Sequence, residues 1–305
     1  MNKNIKDLSI FVGPHEIAGY YKTICEGFKD HKIKYTFVLY EEHKYGYKGQ
    51  TSNPILIKLA RKISKYAKKK PFLLKLTLHF LIELLRSVWA IKIILSNDVF
   101  IFGFGHSLIR FNLDLPIIRI LGKKIISNLS HGSESRPPYI DGFLQSNNGK
   151  DLTIKELVNL SRFKKWRIEW HSKFCNVIIG NPFYCQFFKK NIINSHYIGC
   201  PSDKNISKNN KFNTIKANQN LSNKVNILHV SSHKKAKGTH LIISALEELK
   251  RERNDFNFKV LHGCTHSEVL NEIGKCDFVI DQLFSDVPMA GFATEAASLG
   301  KCAIV

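Results

Sequence analysis

Apolar residues fall along this chain in two rhythms that alternate. Short runs rich in β-branched and aromatic residues give way to longer segments with apolar positions every three or four residues. Residues 8–13 (LSIFVG) predict a strand, and residues 33–40 (IKYTFVLY) predict another. Between them Ile17, Tyr20, Tyr21, Ile24, Cys25 and Phe28 fall on one side of a helix, giving a first βαβ unit. Further strands are expected at 98–104 (DVFIFGF), 124–129 (KIISNL), 176–180 (NVIIG) and 196–199 (HYIG). Residues 147–151 predict a surface loop, and the Asn/Lys/Ser-rich stretch 201–223 lacks apolar periodicity, as an interdomain linker or long loop does. A second alternation starts at residue 225, with strands at 225–230 (VNILHV), 258–261, 277–280 (DFVI) and 302–305 (CAIV). Helices over 238–250, from a capping box at Thr265 and Glu268 to Gly274, and over 294–299 separate them. Alternation of this kind predicts an α/β fold of parallel sheets with helices on both faces. Two Rossmann-like domains facing across a cleft are expected, 1–200 and 224–305, with 201–223 as the boundary.

Residues 72–95 form the most apolar stretch, interrupted by Lys75, His79, Glu83, Arg86 and Lys92. Five polar interruptions argue against a membrane-spanning helix. Lys75, His79, Glu83 and Arg86 recur at spacings of four, four and three, so they predict a polar face with the remainder buried.

Composition agrees with a folded chain of about two domains: 305 residues, 44% hydrophobic and 23% charged. The polar start predicts no signal peptide. Seven scattered cysteines without a C-x-x-C pair predict free thiols in a reducing compartment. Net charge changes the picture more. The last 85 residues hold 10 basic and 10 acidic side chains, so the whole excess of +21 lies in the first 220. Its densest part runs over residues 58–75, with Arg61 and seven lysines interleaved with apolar residues. This pattern suits an anionic membrane surface. A solvated helix face and nucleic acid are the alternatives, and nucleic acid has no recognition motif behind it.

The candidate chemistry centres on Ser231-Ser232-His233-Lys234-Lys235-Ala236-Lys237-Gly238-Thr239, between a strand and a helix. A helix N-terminus offers N–H groups and positive potential, and lysines at the same place suit a diphosphate. A basic, solvated turn is the plainer reading. A dinucleotide fingerprint at Gly103 and Gly105 fails because Leu108 stands where glycine is needed. No Gly-x-Ser-x-Gly elbow is present.

In unbroken order, SSHKKAKGT, LIISALEELK, FKVLHGCTHSEV, CDFVIDQL and GFATEAASLGKCAIV resemble the C-terminal domain of a family 4 glycosyltransferase of GT-B architecture. The N-terminal half is more loosely similar, through Gly13, Ala18-Gly19, GFGHSLI and GKKIISNLSHGSESR. The resemblance implies metal-independent, cofactor-free transfer of a sugar from a nucleotide-sugar to an acceptor hydroxyl, with a retaining outcome. The sequence has no Asp-x-Asp. Lys234 and Lys237 look like the pair on the donor diphosphate, although the first is usually arginine. Glu295 looks like the acid on the donor ribose, with Ser232, Gly238 and Gly263 also lining the donor site. The family's second acid, eight residues earlier, falls on Val287, with Asp286 one step off. His131 is expected to position the acceptor or lie near the phosphates, or else to be a satisfied core histidine. Arg136 would meet phosphate of a lipid-linked acceptor, or form a surface salt bridge. Gly13 would sit at the cleft lip, where a side chain would strike a ligand. The expected setting is bacterial surface polysaccharide or glycolipid assembly, at the cytoplasmic side of the plasma membrane. The chain ends on an expected buried strand. A truncated, inactive transferase or a basic membrane-surface protein is therefore the alternative.

Overall fold

The computed structural model describes residues 4–42, 51–141, 152–203, 206, 224–284 and 290–305. The chain divides into two compact units. The first runs to Gly199, with Ile140, Asp141 and Leu152 grouped instead with the second, which continues from Cys200 to Val305.

The first unit contains β1 (Ile10–Val12), α1 (Tyr20–Asp30), β2 (Tyr35–Phe37), α2 (Ile55–Ala67), α3 (Phe72–Ser96), β3 (Val99–Gly103) and α4 (Asp114–Ile120). It continues through β4 (Lys124–Leu129), α5 (Ile154–Phe174), β5 (Val177–Gly180), β6 (Ile193–Asn194) and the single turn α6 (Ser195–Ile198). Its six strands are all parallel, in the order β2-β1-β3-β4-β5-β6. Ile10 pairs with Tyr35 on one side and Val99 on the other. Strand β1 is buried on both faces, which is why it reads as a continuous apolar run. Phe11 packs with Trp89, Phe100 and Phe102 at ring separations of 5.9 to 6.2 Å. Ile10 and Val12 belong to a second cluster with Tyr21, Cys25 and Phe37.

The second unit contains β7 (Val225–Ser231), α7 (Thr239–Glu252), β8 (Phe256–His262), α8 (His266–Lys275), β9 (Phe278–Ile280), α9 (Gly291–Ser298) and β10 (Cys302–Ile304). Its four strands are parallel, in the order β10-β9-β7-β8. The two sheets bear out the α/β class of Rossmann-like units, the second with fewer strands. In each, the order reverses beside the first strand, between β1 and β3 and again between β7 and β9. Connections leave in opposite directions there, and the gap at the carboxyl ends of the strands is where α/β sheets bind ligands.

Three local expectations need correction. Residues 196–199 are not a strand. The Asn194 side chain accepts the N–H of His196 at 2.9 Å, closing a single helical turn. Arg61, expected in a basic surface, is buried and donates to the carbonyls of Leu39 and Tyr40 and to Asn53. Of the expected polar face of α3, Lys75 and His79 are exposed, but Glu83 and Arg86 are half-buried. Arg86 bonds Glu83 at 3.1 Å and Glu41 at 2.9 Å and lies over the Tyr40 ring. Much of the apolar surface of α3 is exposed instead. Residues 147–151 and most of 201–223 lie outside the described residues. No helix among the described residues is long and apolar enough to cross a membrane.

Candidate functional site

At the second unit's switch point, Lys237 follows β7 and Asp281 follows β9. The Lys237 ammonium donates to Asp281 Oδ1 at 2.5 Å, and the carboxylate is fully buried. Asp281 Oδ2 also accepts the N–H of Ala293, in the first turn of α9, at 3.3 Å. Lys237 lies 5.6 Å from the Phe292 ring and is 16% exposed at its side chain. It is therefore turned inward and fixed rather than projecting into water. Lys234 is exposed, as is Lys235. The open helix end expected here is largely closed by the turn itself. The N–H groups of Lys237, Gly238 and Thr239 donate to the carbonyls of His233, Lys235 and Lys234. Gly238 adopts φ +68°, and a Cβ there would lie 3.1 Å from Leu283 Cβ, so the fold itself favours glycine here.

Beneath this turn the buried His229 receives Thr239 Oγ1 at Nε2, 2.9 Å away, and donates from Nδ1 to the Ile280 carbonyl at 2.8 Å. Burial lowers its pKa, so it is a neutral strut joining β7, β9 and α7. Glu295 lies on α9 one turn beyond Phe292, and its Oε1 is 2.7 Å from His266 Nε2, at the start of α8. Ser232 and Gly263 are exposed, and a Cβ at Gly263 would meet open space. Asp286 and Val287 lie outside the described residues.

In the first unit His131 follows β4, and its Nε2 is 2.8 Å from Tyr21 Oη. Tyr21 is fully buried, and its phenol occupies the space that a side chain at Gly103 would need. The Glu134 carboxylate accepts the backbone N–H of His131 at 2.6 Å. Burial lowers the His131 pKa to about 4 and raises that of Glu134. His131 is thus a neutral imidazole at pH 7, a weak base but an able hydrogen-bond partner. Gly132 adopts φ +127°, with the Arg136 guanidinium 3.5 Å from where a Cβ would stand. Arg136 also lies 5.0 Å from the Tyr184 ring centre. Gly13 is explained internally: it has φ +135°, and a Cβ would strike the Val38 carbonyl rather than a ligand.

Sequence reasoning missed two further histidines at the first unit's switch point. His15 follows β1 and His106 follows β3, and their rings lie 4.9 Å apart. Burial lowers the pKa of His15 to about 3, with the charges of His106 and Arg86 adding to the effect, and that of His106 to about 4, with Arg167 adding to it. Their only sequence signal is position just past a strand. The start of α1 is already occupied: the Glu16 carboxylate accepts the N–H groups of Ile17, Tyr21 and Lys22 at 2.7 to 3.1 Å. An anion has no place at that helix end. Asp281 and His266 were also missed, because each is defined by a partner distant in sequence. Among the described residues no three His, Cys, Asp or Glu side chains gather as metal ligands would.

No protein-family model matches the chain, and no curated protein matches it. Among solved structures it is similar to Anabaena Alr3699/HepE in complex with UDP-glucose, at a TM-score of 0.51 and 12% identity. The match covers 97% of this chain and 79% of that one. The same protein in complex with UDP and glucose matches at 12% identity and a TM-score of 0.48, covering 97% of this chain and 80% of that one. At this identity the likeness is one of fold, and family 4 rests on the motifs alone.

Proposed function

We propose that this chain transfers a sugar from a nucleotide-sugar to an acceptor hydroxyl, with the donor diphosphate held in the second unit. The observation that carries this reading is the Lys237–Asp281 pair across the β7/β9 switch point, beside the exposed Lys234 and Lys235. As the glycosidic C–O bond breaks, negative charge grows on the leaving diphosphate. Fixed cations stabilise that charge more in the transition state than in the ground state. Asp281 orients Lys237 and offsets one charge, and Lys234 and Lys235 leave the set positive. Glu295 is the ribose ligand in this reading, with His266 steering its carboxylate. The likeness to a protein solved with UDP-glucose makes a uridine diphosphate sugar the first donor to test.

His131 and Arg136 are the acceptor-side candidates. With its pKa lowered to about 4, His131 suits holding a hydroxyl by hydrogen bonding better than removing its proton. The finer parts of the proposal are a retaining outcome, independence from metal, and a role in surface polysaccharide or glycolipid assembly.

The test is release of nucleoside diphosphate from a panel of nucleotide-sugars, with and without EDTA. Release that survives EDTA and falls at least tenfold in K234M is expected. The neutralised Lys237 and the closed α7 turn favour a second reading, a binder that does not turn over. Binding of a nucleoside diphosphate with no release from any donor would select it.

A further inference from the structure

Helix α3 carries its apolar surface outward. Leu73, Thr77, Phe80, Leu84, Val88, Ile91 and Leu95 recur at spacings of four and three, which draws one stripe along a 25-residue helix. All seven are exposed, Phe80 by 74% and Leu95 by 67%. Thr77 does not break the stripe, because its hydroxyl turns back to the Leu74 carbonyl at 2.9 Å. The opposite side holds Ile82, Trp89, Ala90, Ile93 and Ile94 against the core. An exposed apolar ridge of this length, about 33 Å, marks an interaction surface.

Charge identifies the partner. From Ile55 to Ser96 the only acidic residue is Glu83, and Arg86 engages it. Lys68 and Lys69 are exposed just ahead of α3, Lys92 is exposed near its far end, and Lys58, Lys62 and Lys65 are exposed on α2, which packs against α3. A second copy of the chain would bring the same lysines to the seam, where like charges repel. A lipid surface bearing anionic headgroups satisfies both features, taking the ridge into its acyl boundary and the lysines at its phosphates. We propose that α3 lies in the plane of an anionic bilayer, inserted along the Leu73–Leu95 stripe and flanked by the lysines of α2 and its link to α3. This attachment involves no nucleotide, so it stands or falls separately from the transferase reading.

The experiment is co-sedimentation of the full chain with vesicles of phosphatidylcholine alone or mixed with phosphatidylglycerol, at low and high salt. Capture by the mixed vesicles at low salt, weakened by salt, is expected. F80E/I91E changes two exposed side chains and should lower partitioning at least tenfold while keeping the parent's thermal unfolding. K68Q/K69Q/K70Q should lower it by up to about a hundredfold and flatten the salt dependence. The proposal is overturned if the chain stays in solution with anionic vesicles at low salt. Equal binding by F80E/I91E overturns it too. So does a dimer that I91E splits without any vesicle capture, which would assign the stripe to a second copy.

Discussion

Two lysines three residues apart have different work in this chain. Lys234 is exposed, whereas Lys237 is locked to a fully buried carboxylate. Removing Lys237 leaves Asp281 charged and buried, a defect that typically costs about 3 kcal/mol. K237M should therefore shift the urea midpoint strongly, and K234M should leave it in place while weakening nucleotide binding. Equal stability of the two variants would show that the ion pair is not a structural element. Sequence marked Lys237 through its place before glycine, after a strand. It could not mark Asp281, because a sheet neighbour 44 positions away leaves no local pattern. The same holds for His266 with Glu295, and for His15 with His106.

His131 carries a pH signature. Its folded pKa is lowered to about 4, against about 6.5 in an unfolded chain. Between those values the unfolded chain binds a proton that the folded one refuses, so this residue costs stability as pH falls through that window. At pH 7 and above it costs nothing of this kind. H131N removes the titration. Urea midpoints at pH 7.5 and 5 should show the parent losing ground to the variant at the lower pH. A constant gap would mean that the folded imidazole is not shielded.

Elements follow the apolar rhythm wherever burial alone decides them. Strands β1, β3, β4 and β7 fall within their predicted runs or extend them by one residue, because parallel strands covered on both faces carry a run of apolar residues, which β1 and β3 show most fully. Helix α3 follows expectation at Lys75 and His79, which are exposed, and departs from it at Glu83 and Arg86. Periodicity shows that faces differ, but it does not show that Arg86 finds Glu41, Glu83 and the Tyr40 ring and is half-buried by them. Strand β3 is constrained from outside as well. A methyl group at Gly103 would collide with the Tyr21 phenol, which is the partner of His131. G103A should destabilise the first unit by about 1–3 kcal/mol, the usual range for overpacking. It should also alter the His131 imidazole resonances, whereas G122A, in open space, should leave them unchanged. Intact resonances in G103A would contradict the arrangement.

Taken as a whole, the molecule repeats one device twice. Each parallel sheet reverses its order beside its first strand, and each reversal gathers polar side chains from the strands that flank it: His15 and His106 in one unit, Lys237 and Asp281 in the other. The alternation of elements made the α/β class legible, and the basic turn made one of these two places legible. The first unit's histidines stayed hidden, since a lone histidine after a strand has no distinguishing spacing. The basic run over residues 58–75 was legible as a candidate membrane surface, but only the structure shows that the apolar stripe of α3 is exposed.

Calorimetric titration of the full chain with uridine, guanosine and adenosine diphosphates, each against its own nucleoside, addresses the donor site most directly. At least one diphosphate should bind tenfold or more tightly than its nucleoside, and K234M should erase most of that margin. Equal affinities throughout, or a margin that K234M leaves intact, would contradict a diphosphate site at the end of β7.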